Sequence, residues 1–546
     1  MQAKRTSLLQ PEWILAVLIT AVACVIHFYY WRHVGGLWRD EVNLVDVSQR
    51  HSFFDMAKDS FPILMPLLVH IWRSVGLGDT DQHLRLIGLL LGLGTLAALW
   101  ISSWKIHRAP PLIGLALLGL NVTLIFAGDS LRAYGLGSLL AVALTASGFI
   151  FLQKPSGRRA VWLILFAVLS VQVLYQNAVL VAAVCFGAWA VCWQRKDGRA
   201  ALQVLLVAII SAASLLPYVP TLMGFAGGSR VLRTGIALRH FFANLTGTFG
   251  YPRWDYIYLW GLLYALIIFY TIAGSKKNIS ASDKTNATLS NLDLSLFAAI
   301  LLTLESIGLA IFFWCSQIPI EGWYILPFMG SAVVCFDVAL PIRHWTWRTG
   351  LLGFAAVTAC LSIPHTGRAV KAHLSDISIH ARQLTASVSP EDYVLVCPWY
   401  CGITFAYYFK ATTPWDTLPP ISDHSAHRYD LVQLQLQNTN AIAPVLEQIT
   451  RTLQAGHRVW ILAEEGRMSV PATGTPTPPN LPPAPLPDTG WADAPYTRVW
   501  ISQVACLLAD HSTDFEKLKS LSMERFLAEN MSLFVASGWK TNSPIQ

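Results

Sequence analysis

Residues 13–41 read WILAVLITAVACVIHFYYWRHVGGLWRDE, and this stretch decides the fold class. Trp13–Trp31 is an almost uninterrupted apolar run of the length that a helix needs to cross a bilayer. Lys4 and Arg5 precede it and no small-residue cleavage site follows it, so we expect a retained membrane helix and not a signal peptide. The run leads into Trp38-Arg39-Asp40-Glu41, where two adjacent carboxylates stand at the mouth of a membrane. Charges are costly to keep there without a use, so the pair predicts a reaction at the bilayer surface.

The composition of the chain supports an integral membrane protein. Hydrophobic residues make up 54% of the 546 residues and charged residues 13%, with a mean hydropathy of +0.47. These values exclude an ordinary soluble globular protein. Apolar segments after the first are predicted at 85–102, 110–127, 133–152, 161–175, 177–193, 201–223, 255–274, 293–314, 323–341 and 349–363. The pattern therefore predicts about eleven transmembrane helices, although the short segments 161–175 and 177–193 could also merge or be re-entrant.

Charge in the loops indicates the orientation, because cytoplasmic loops are enriched in Lys and Arg. With the N-terminus inside, the inner loops are 104–110, 153–160, 194–200, 274–291 and 343–349, and all of them are basic. The same threading places Asp40, Glu41, Asp129, Glu321 and the region after residue 364 on the outer face.

The region 364–546 has the composition of a soluble domain. Tyr393–Cys397 and Arg458–Leu462 are predicted to be buried strands and Ala441–Leu453 an amphipathic helix. We therefore expect a transmembrane domain at 1–363 and an extracytoplasmic α/β domain at 364–546. Pro471–Pro487 is too rich in proline for regular structure and is expected to be a surface loop. A disulfide among Cys397, Cys401 and Cys506 is plausible in an oxidising compartment.

Arginines outnumber lysines in the predicted outer loops and helix mouths, whereas the inner loops mix the two. The outer set comprises Arg32, Arg39, Arg50, Arg73, Arg85, Arg132, Arg230, Arg233, Arg239 and Arg253. The planar guanidinium is suited to grip phosphate or carboxylate with two hydrogen bonds. Any single arginine is better explained by a nearby acid or a lipid headgroup, but the set indicates a phosphate ligand on the outer side.

The order of several short motifs resembles the GT-C fold glycosyltransferases that use polyprenyl-phosphate sugars. That group includes protein O-mannosyltransferases, the aminoarabinose transferase of lipid A and RgtA/B/C/D-like enzymes. The matching features are Asp40-Glu41 in the first outer loop, a proline-containing helix from Phe61 to Trp72, Gly76-Leu77-Gly78 followed by Arg85, and Arg132-Ala133-Tyr134. Two features depart from the group: its His-Pro-Pro is here Phe61-Pro62-Ile63, and its late Arg-Tyr is replaced by Glu321-Gly322-Trp323-Tyr324.

The resemblance implies roles for these residues. Asp40 is the candidate general base for the acceptor hydroxyl, and Glu41 would orient the acceptor, exchange roles with Asp40 or bind a metal. The alternative is that both carboxylates only cap a helix. The donor phosphate would be bound by arginines and aromatic groups, chosen from Arg39, Arg85, Arg132, Tyr134, Arg230, Arg233 and Arg239, with Glu321 and Tyr324 in the last loop. Arg132 and Tyr134 are equally explained as an interfacial anchor, and Asp129 as a support for Arg132.

The function that the resemblance implies is an inverting transfer of a sugar from a polyprenyl phosphate to an acceptor outside the membrane. One alternative is a flippase or transporter of lipid-linked saccharides, which predicts several buried charges, whereas the sequence shows Glu305 nearly alone within the spans. The other is a non-catalytic assembly subunit on a transferase scaffold. We expect a bacterial inner-membrane protein with a cytoplasmic N-terminus, whose partners are membrane lipid, the donor and a lipid, glycan or protein acceptor, and no nucleic acid. No cofactor is predicted, and a need for a divalent metal stays open.

Overall fold

The computed structural model describes residues 10–50, 52–58, 61–226, 238–250, 255–279, 291–316, 318, 320–340, 345–470, 475, 493–518 and 526–540. The chain divides into two compact units. The first comprises Met1–Arg32, Met56–Pro220 and Ile236–Val370, and the second His33–Asp55, Thr221–Gly235 and Lys371–Gln546. The division differs from the expected boundary between residues 363 and 364, because the last membrane helix continues to Ala369 and the first loop groups with the C-terminal region.

The helices, in chain order, are α1 (Pro11–His33), α2 (Arg39–Ser48), α3 (Phe53–Met56), α4 (Leu64–Ser74), α5 (Asp81–His107), α6 (Leu112–Gly114), α7 (Ala133–Gln153), α8 (Gly157–Val171), α9 (Asn177–Gln194), α10 (Gly198–Ala213), α11 (Val219–Ala226), α12 (Leu238–Phe249), α13 (Tyr256–Ile279), α14 (Asn291–Ser316), α15 (Leu326–Ala339), α16 (Trp345–Ala369), α17 (Ile377–Ser387), α18 (Cys401–Tyr408), α19 (Tyr429–Leu436), α20 (Ala443–Gln454) and α21 (Ala494–His511). Short π-helices occupy Leu115–Gly119 and Leu124–Gly128, and short 3-10 helices occupy Leu216–Tyr218 and Gly322–Ile325. The strands are β1 (His373–Ser375), β2 (Tyr393–Cys397), β3 (Trp415–Thr417), β4 (Val459–Glu464), β5 (Ser512–Lys517), β6 (Phe526–Glu529) and β7 (Met531–Trp539).

The first unit confirms a polytopic helical membrane protein. Within the described ranges, 9 helices are long and apolar enough to cross a bilayer. Two of the predicted segments do not reach that length. Segment 161–175 lies largely in α8, which has 15 residues, and segment 110–127 is divided among α6 and two π-helical stretches.

Asp337 of α15 explains why a helix, α6, begins near the start of segment 110–127. Its two carboxylate oxygens accept the backbone N–H groups of Ile113 at 3.0 Å and Gly114 at 2.9 Å. The first N–H groups of a helix lack intrahelical partners, and a carboxylate placed there satisfies them. A buried acid from a distant helix thus caps α6, which hydropathy alone does not predict.

The second unit contains a mixed five-stranded sheet with the strand order β3-β2-β4-β7-β5. Strands β3, β2 and β4 are parallel, whereas β7 is antiparallel to both β4 and β5. A separate parallel pair joins β1 and β6. The predicted strand Tyr393–Cys397 is confirmed as β2. The other predicted strand, Arg458–Leu462, overlaps β4, which begins one residue later and ends two residues later.

Both faces of this sheet are covered by helices. Side chains of β2 alternate between the faces, with Tyr393 and Leu395 in a cluster formed with α19, α20 and α21, and Val394 and Val396 in a cluster formed with α17 and α18. This alternation follows from the two-residue period of a strand. The predicted α/β domain is therefore a three-layer structure with a core on each side of the sheet.

The cysteines form no disulfide. All nine are free thiols, and all of them lie among the residues that the structure describes. The disulfide expected among Cys397, Cys401 and Cys506 is wrong, and the sheet supplies the reason for the first pair. Cys397 faces one apolar cluster and Cys401 the other, so their thiols lie on opposite faces.

Candidate functional site

The adjacent acidic residues Asp40 and Glu41 lie in the first turn of helix α2, and the structure gives them different surroundings. Glu41 is fully buried, and its Oε2 accepts the backbone N–H of Trp38 at 3.3 Å. This is a capping-box interaction, in which the third helical residue reaches back to the residue before the helix. The geometry of Glu41 therefore matches the helix-cap alternative.

Asp40 lies beside a histidine from the C-terminal part of the same unit. Its Oδ1 is 3.0 Å from His427 Nε2 and 3.7 Å from Arg39 Nε, and its side chain is 15% exposed. Asn43, one turn along α2, accepts the backbone N–H of His427 at 3.3 Å. Asp40 is thus partly open to solvent and oriented by two neighbours. The sequence did not indicate His427, because it follows Asp40 by 387 positions.

The loop that presents His427 is held by charge and by aromatic packing. Arg428 bonds Asp430, with Nη2 to Oδ2 at 2.7 Å, and it also bonds Asp423 across the loop. The imidazole of His427 stacks on Tyr429, with centroids 5.8 Å apart and planes 12° apart. These contacts fix the direction in which the ring of His427 points.

Arg39 anchors the start of α2 within the second unit. Its guanidinium lies 4.5 Å from the ring centroid of Tyr400, and its backbone N–H donates to Glu529 Oε1 at 3.2 Å. Burial alone would lower the pKa of Arg39, but the negative charges of Asp40 and Glu529 raise that pKa above its ordinary value. Burial raises the pKa of Glu529 to about 7, although Arg39 and hydrogen bonds oppose this rise.

These groups lie where an α/β sheet usually binds its ligands. Tyr400 follows the end of β2, and its hydroxyl donates to Glu464 at the end of β4 at 3.4 Å. Strand β3 lies on one side of β2 and β4 lies on the other. The order in which the chain adds strands to the sheet therefore reverses direction between β2 and β4. The crevice at such a reversal, outside the carboxyl ends of the strands, is the common ligand position in open sheets. Arg39 lies over Tyr400 at this place.

In the first unit, Arg132 is enclosed by aromatic rings. The guanidinium carbon is 4.8 Å from the centroid of Tyr134, 5.5 Å from Trp323 and 5.8 Å from Phe61. Tyr134 packs edge-on against Tyr324 at 5.5 Å. Cation–π contacts of this kind hold a guanidinium without neutralising its charge. The structure therefore groups three predicted residues, Arg132, Tyr134 and Tyr324, and adds Phe61 and Trp323, which the sequence offered only as parts of motifs.

The other predicted donor-binding residues of the first unit have less informative positions. Arg85 is buried in α5, with 2% exposure, and Glu321 is exposed just before the 3-10 helix Gly322–Ile325. Arg230 and Arg233 lie outside the described residues, and for Arg239 only the backbone is described, within α12.

Each buried acid described in the first unit has a protein partner for at least one of its carboxylate oxygens. Asp129 Oδ2 is 2.6 Å from His27 Nδ1, while its Oδ1 has no hydrogen-bond partner, so the expected support of Arg132 by Asp129 is wrong. Ser331 donates to Glu305 at 2.6 Å. Among the described residues of this unit, Glu12, Asp129, Glu305 and Asp337 are four buried carboxylates, so the expectation that Glu305 is nearly alone is also wrong.

An apolar cavity of about 370 Å³ lies among α12, α13, α14 and α15 of the first unit. Trp260, Tyr264 and Phe313 are among the side chains that line it. Phe313 also contacts Tyr324, with ring centroids 5.9 Å apart. Because Tyr324 touches Tyr134, a row of aromatic rings connects the cavity wall with the Arg132 cluster.

Metal-binding geometry is not evident in the parts of the chain that the structure describes. Within them, no group of three or more His, Cys, Asp or Glu side chains could hold a metal ion.

Comparison with known proteins identifies the fold. ArnT from Cupriavidus metallidurans in the apo state matches with a TM-score of 0.50 and 13% identity, over 83% of this chain and 93% of that chain. ArnT bound to undecaprenyl phosphate gives a TM-score of 0.48 with the same identity and coverage. The oligosaccharyltransferase of Archaeoglobus fulgidus, tethered with an acceptor peptide, gives 0.47 and 11% identity, over 96% of this chain and 75% of that chain. By sequence, the chain matches no family model and no curated protein. The chain has a GT-C-like fold, and the prediction of that fold from the first-loop motifs is confirmed.

Proposed function

We propose that this protein is a membrane glycosyltransferase that moves a sugar from a polyprenyl phosphate to an acceptor hydroxyl. The observation that carries the proposal is the Arg132 cluster with its aromatic connection to the apolar cavity. A lipid phosphate has an anionic head and a long apolar tail. Arg132 offers a held positive charge, and the cavity lined by Phe313 offers apolar volume. The shared fold with ArnT supports this choice of donor class.

In the proposed reaction, Asp40 takes the proton of the acceptor hydroxyl while the acceptor oxygen attacks the anomeric carbon. The bond between that carbon and the phosphate oxygen breaks, and the phosphate leaves with the electron pair. Arg132 stabilises the negative charge on the leaving phosphate, as preorganised cations do in group transfer. One displacement at the anomeric carbon inverts its configuration. Asp40 suits the role of base better than Glu41, because Glu41 is buried in a helix cap.

The proposal includes a location. From the basic loops predicted for the inner side we infer that the N-terminus lies in the cytoplasm and the second unit outside. The reaction would then take place on the outer face of a bacterial inner membrane, where the acceptor is a lipid, a glycan or a protein. Cysteine labelling of the loop at 153–160 and of the second unit in intact cells would test this orientation.

The first experiment measures transfer of radiolabelled sugar in membranes that contain wild type, Asp40→Asn or Arg132→Ala at matched protein levels. A panel of undecaprenyl-phosphate sugars supplies the donor, and undecaprenyl phosphate is the lipid bound to ArnT in one of its structures. We expect label on a lipid, glycan or protein with the wild type and at least a 100-fold lower rate with Asp40→Asn, the order lost when a general base is removed. Asp46→Asn, the same change on the same helix, is the matched control and is expected to retain the rate.

Two results would contradict the proposal. Equal transfer by wild type and Asp40→Asn would remove the base from the mechanism. No transfer by the wild type across the panel, together with movement of labelled lipid between leaflets of reconstituted vesicles, would establish the flippase alternative. If the wild type shows neither transfer nor lipid movement, that result would support the assembly-subunit alternative.

A further inference from the structure

We propose that His427 is a positioning residue for Asp40, so that the C-terminal α/β unit sets the direction and the ionised state of the base. This inference rests on the proposed transferase function. It assigns a role in the reaction to a residue that belongs to none of the motifs shared with GT-C enzymes.

The first argument is geometric. Asp40 and Asn43 are three residues apart in α2, so they lie on one face of the helix. His427 contacts both of them, its Nε2 lying 3.0 Å from Asp40 Oδ1 and its backbone N–H donating to Asn43 at 3.3 Å. Two bonds from one residue fix both the position of the backbone of His427 and the end of its side chain. The imidazole therefore has a defined direction relative to the carboxylate.

The second argument is the rigidity of the imidazole. The ring of His427 is parallel to Tyr429 and perpendicular to Trp399, with centroids 6.4 Å apart. Trp399 is itself held by a hydrogen bond from its Nε1 to Asp493 at 2.6 Å. The charged pair of Arg428 with Asp430 closes the loop beside the ring. A side chain locked by packing and by neighbouring hydrogen bonds is what a precise catalytic site requires.

The third argument is chemical. A base must be ionised and aimed before it can accept a proton, and a hydrogen bond donated to a carboxylate favours its charged form. An ionised carboxylate only accepts hydrogen bonds, so its bond with His427 assigns the proton to Nε2, and Arg39 adds positive charge 3.7 Å from the same oxygen. Among the described residues, the other charged groups near this site include Glu41 in the helix cap, Glu529 beside Arg39 and the Arg428 cluster with Asp423 and Asp430. His427 is the one of these groups whose removal takes a donor from Asp40 without removing a permanent charge.

The test compares His427→Phe with His427→Gln in the transfer assay. Phenylalanine preserves stacking on Tyr429 but removes the donor, whereas glutamine places an amide N–H near the position of Nε2. We expect His427→Phe to lower kcat by about 10- to 100-fold, the effect of losing a hydrogen bond to a charged group, with the KM for the donor unchanged within about twofold. The acid limb of the pH–rate profile should move to higher pH, since the ionised form of Asp40 loses a donor. His427→Gln should restore most of kcat and the original limb.

His457→Phe is the matched control, because His457 lies in the turn between α20 and β4 of the same unit and is expected to leave kcat and the profile unchanged. One outcome would overturn this inference and leave the proposed function standing. In that outcome the wild type transfers sugar, Asp40→Asn does not, and His427→Phe keeps the wild-type rate with an unshifted pH–rate profile. Absence of transfer by the wild type would instead contradict the proposed function. Should His427→Phe not accumulate, Asn43→Ala removes the acceptor of the His427 backbone N–H and must show the same kcat loss and pH shift, or the inference fails.

Discussion

The His27–Asp129 pair makes a prediction for Gly92 that can be worked out from distances. A Cβ added at Gly92 would lie 2.0 Å from Asp129 Oδ1 and 2.7 Å from His27 Nδ1. Ordinary contact begins at 3.4 Å, so the carboxylate must move by about 1.4 Å, the difference between 3.4 and 2.0 Å. The hydrogen bond of 2.6 Å between Asp129 and His27 then exceeds the usual limit of about 3.2 Å. Gly92→Ala is therefore expected to break this buried pair.

Breaking a buried pair costs about 3–5 kcal/mol, and alanine returns about 1 kcal/mol of helix propensity. Gly92→Ala should accordingly lower the free energy of unfolding by about 2–4 kcal/mol. The matched control is Gly94→Ala on the same helix, because its Cβ would meet only Leu139, at an ordinary 3.4 Å. That variant should be as stable as the wild type or up to about 1 kcal/mol more stable.

The assay is unfolding of the purified proteins in mixed micelles titrated with SDS and followed by tryptophan fluorescence. Gly92→Ala combined with Asp129→Ala should be less destabilised than the sum of the two single changes, because the clash disappears with the carboxylate. Equal stability of the Gly92 and Gly94 variants would refute the packing of the pair against α5.

Three further predictions concern the two candidate sites. Arg132→Lys should lower kcat/KM for the polyprenyl-phosphate donor by about 10- to 100-fold, because the ammonium lacks the planar fork, whereas Arg73→Lys in the same transfer assay should change it little. Burial raises the pKa of Glu529 from its ordinary value of 4.5 to about 7, so its contribution to stability is complete below about pH 4 and is lost as pH rises through 7. We expect a loss of about 3 kcal/mol, seen as a fall of the unfolding midpoint with rising pH that Glu529→Gln removes. Glu41→Gln should retain transfer and stability because glutamine also forms a capping box, whereas Glu41→Ala should lose about 1 kcal/mol of stability; loss of transfer in a stable Glu41→Gln protein would return Glu41 to the reaction.

Hydropathy predicted most of the fold because bilayer burial and strand alternation are local properties of the sequence. It failed at segment 110–127, where Asp337 caps a helix from a position 224 residues away along the chain. It also did not anticipate that Asp129 would pair with His27, 102 residues away. Buried acids are costly only when they have no partner, and the partner of each of these acids lies on another element. A hydropathy profile shows that burying an acid is costly, but it does not show which residue will hydrogen-bond to that acid.

The candidate site, like the fold, is only partly predictable from the sequence. The sequence selected Asp40, Arg132, Tyr134 and Tyr324 from motif order, and the structure adds contacts that a single sequence cannot pair. The sequence favours Asp40 as the base but keeps Glu41 among the catalytic candidates, because adjacency does not show which carboxylate points into the helix cap. That distinction depends on the direction of each side chain from α2, which only the packed structure provides.

The first loop explains why the C-terminal unit matters for the proposed chemistry. Residues His33–Asp55 belong to the same compact unit as Lys371–Gln546. The backbone N–H of Leu37 donates to the hydroxyl of Tyr408 at 2.6 Å, and the backbone carbonyl of Val34 accepts the N–H of Leu374 at 3.2 Å. The start of α2 is thus held by residues that come much later in the chain. Leu37 and Tyr408, for example, are 371 positions apart. A chain ending at Val370 would keep Asp40 but lose these contacts, so we expect it to insert in the membrane and to show no transfer; transfer at the wild-type rate by that truncated chain would contradict the role given to the C-terminal unit.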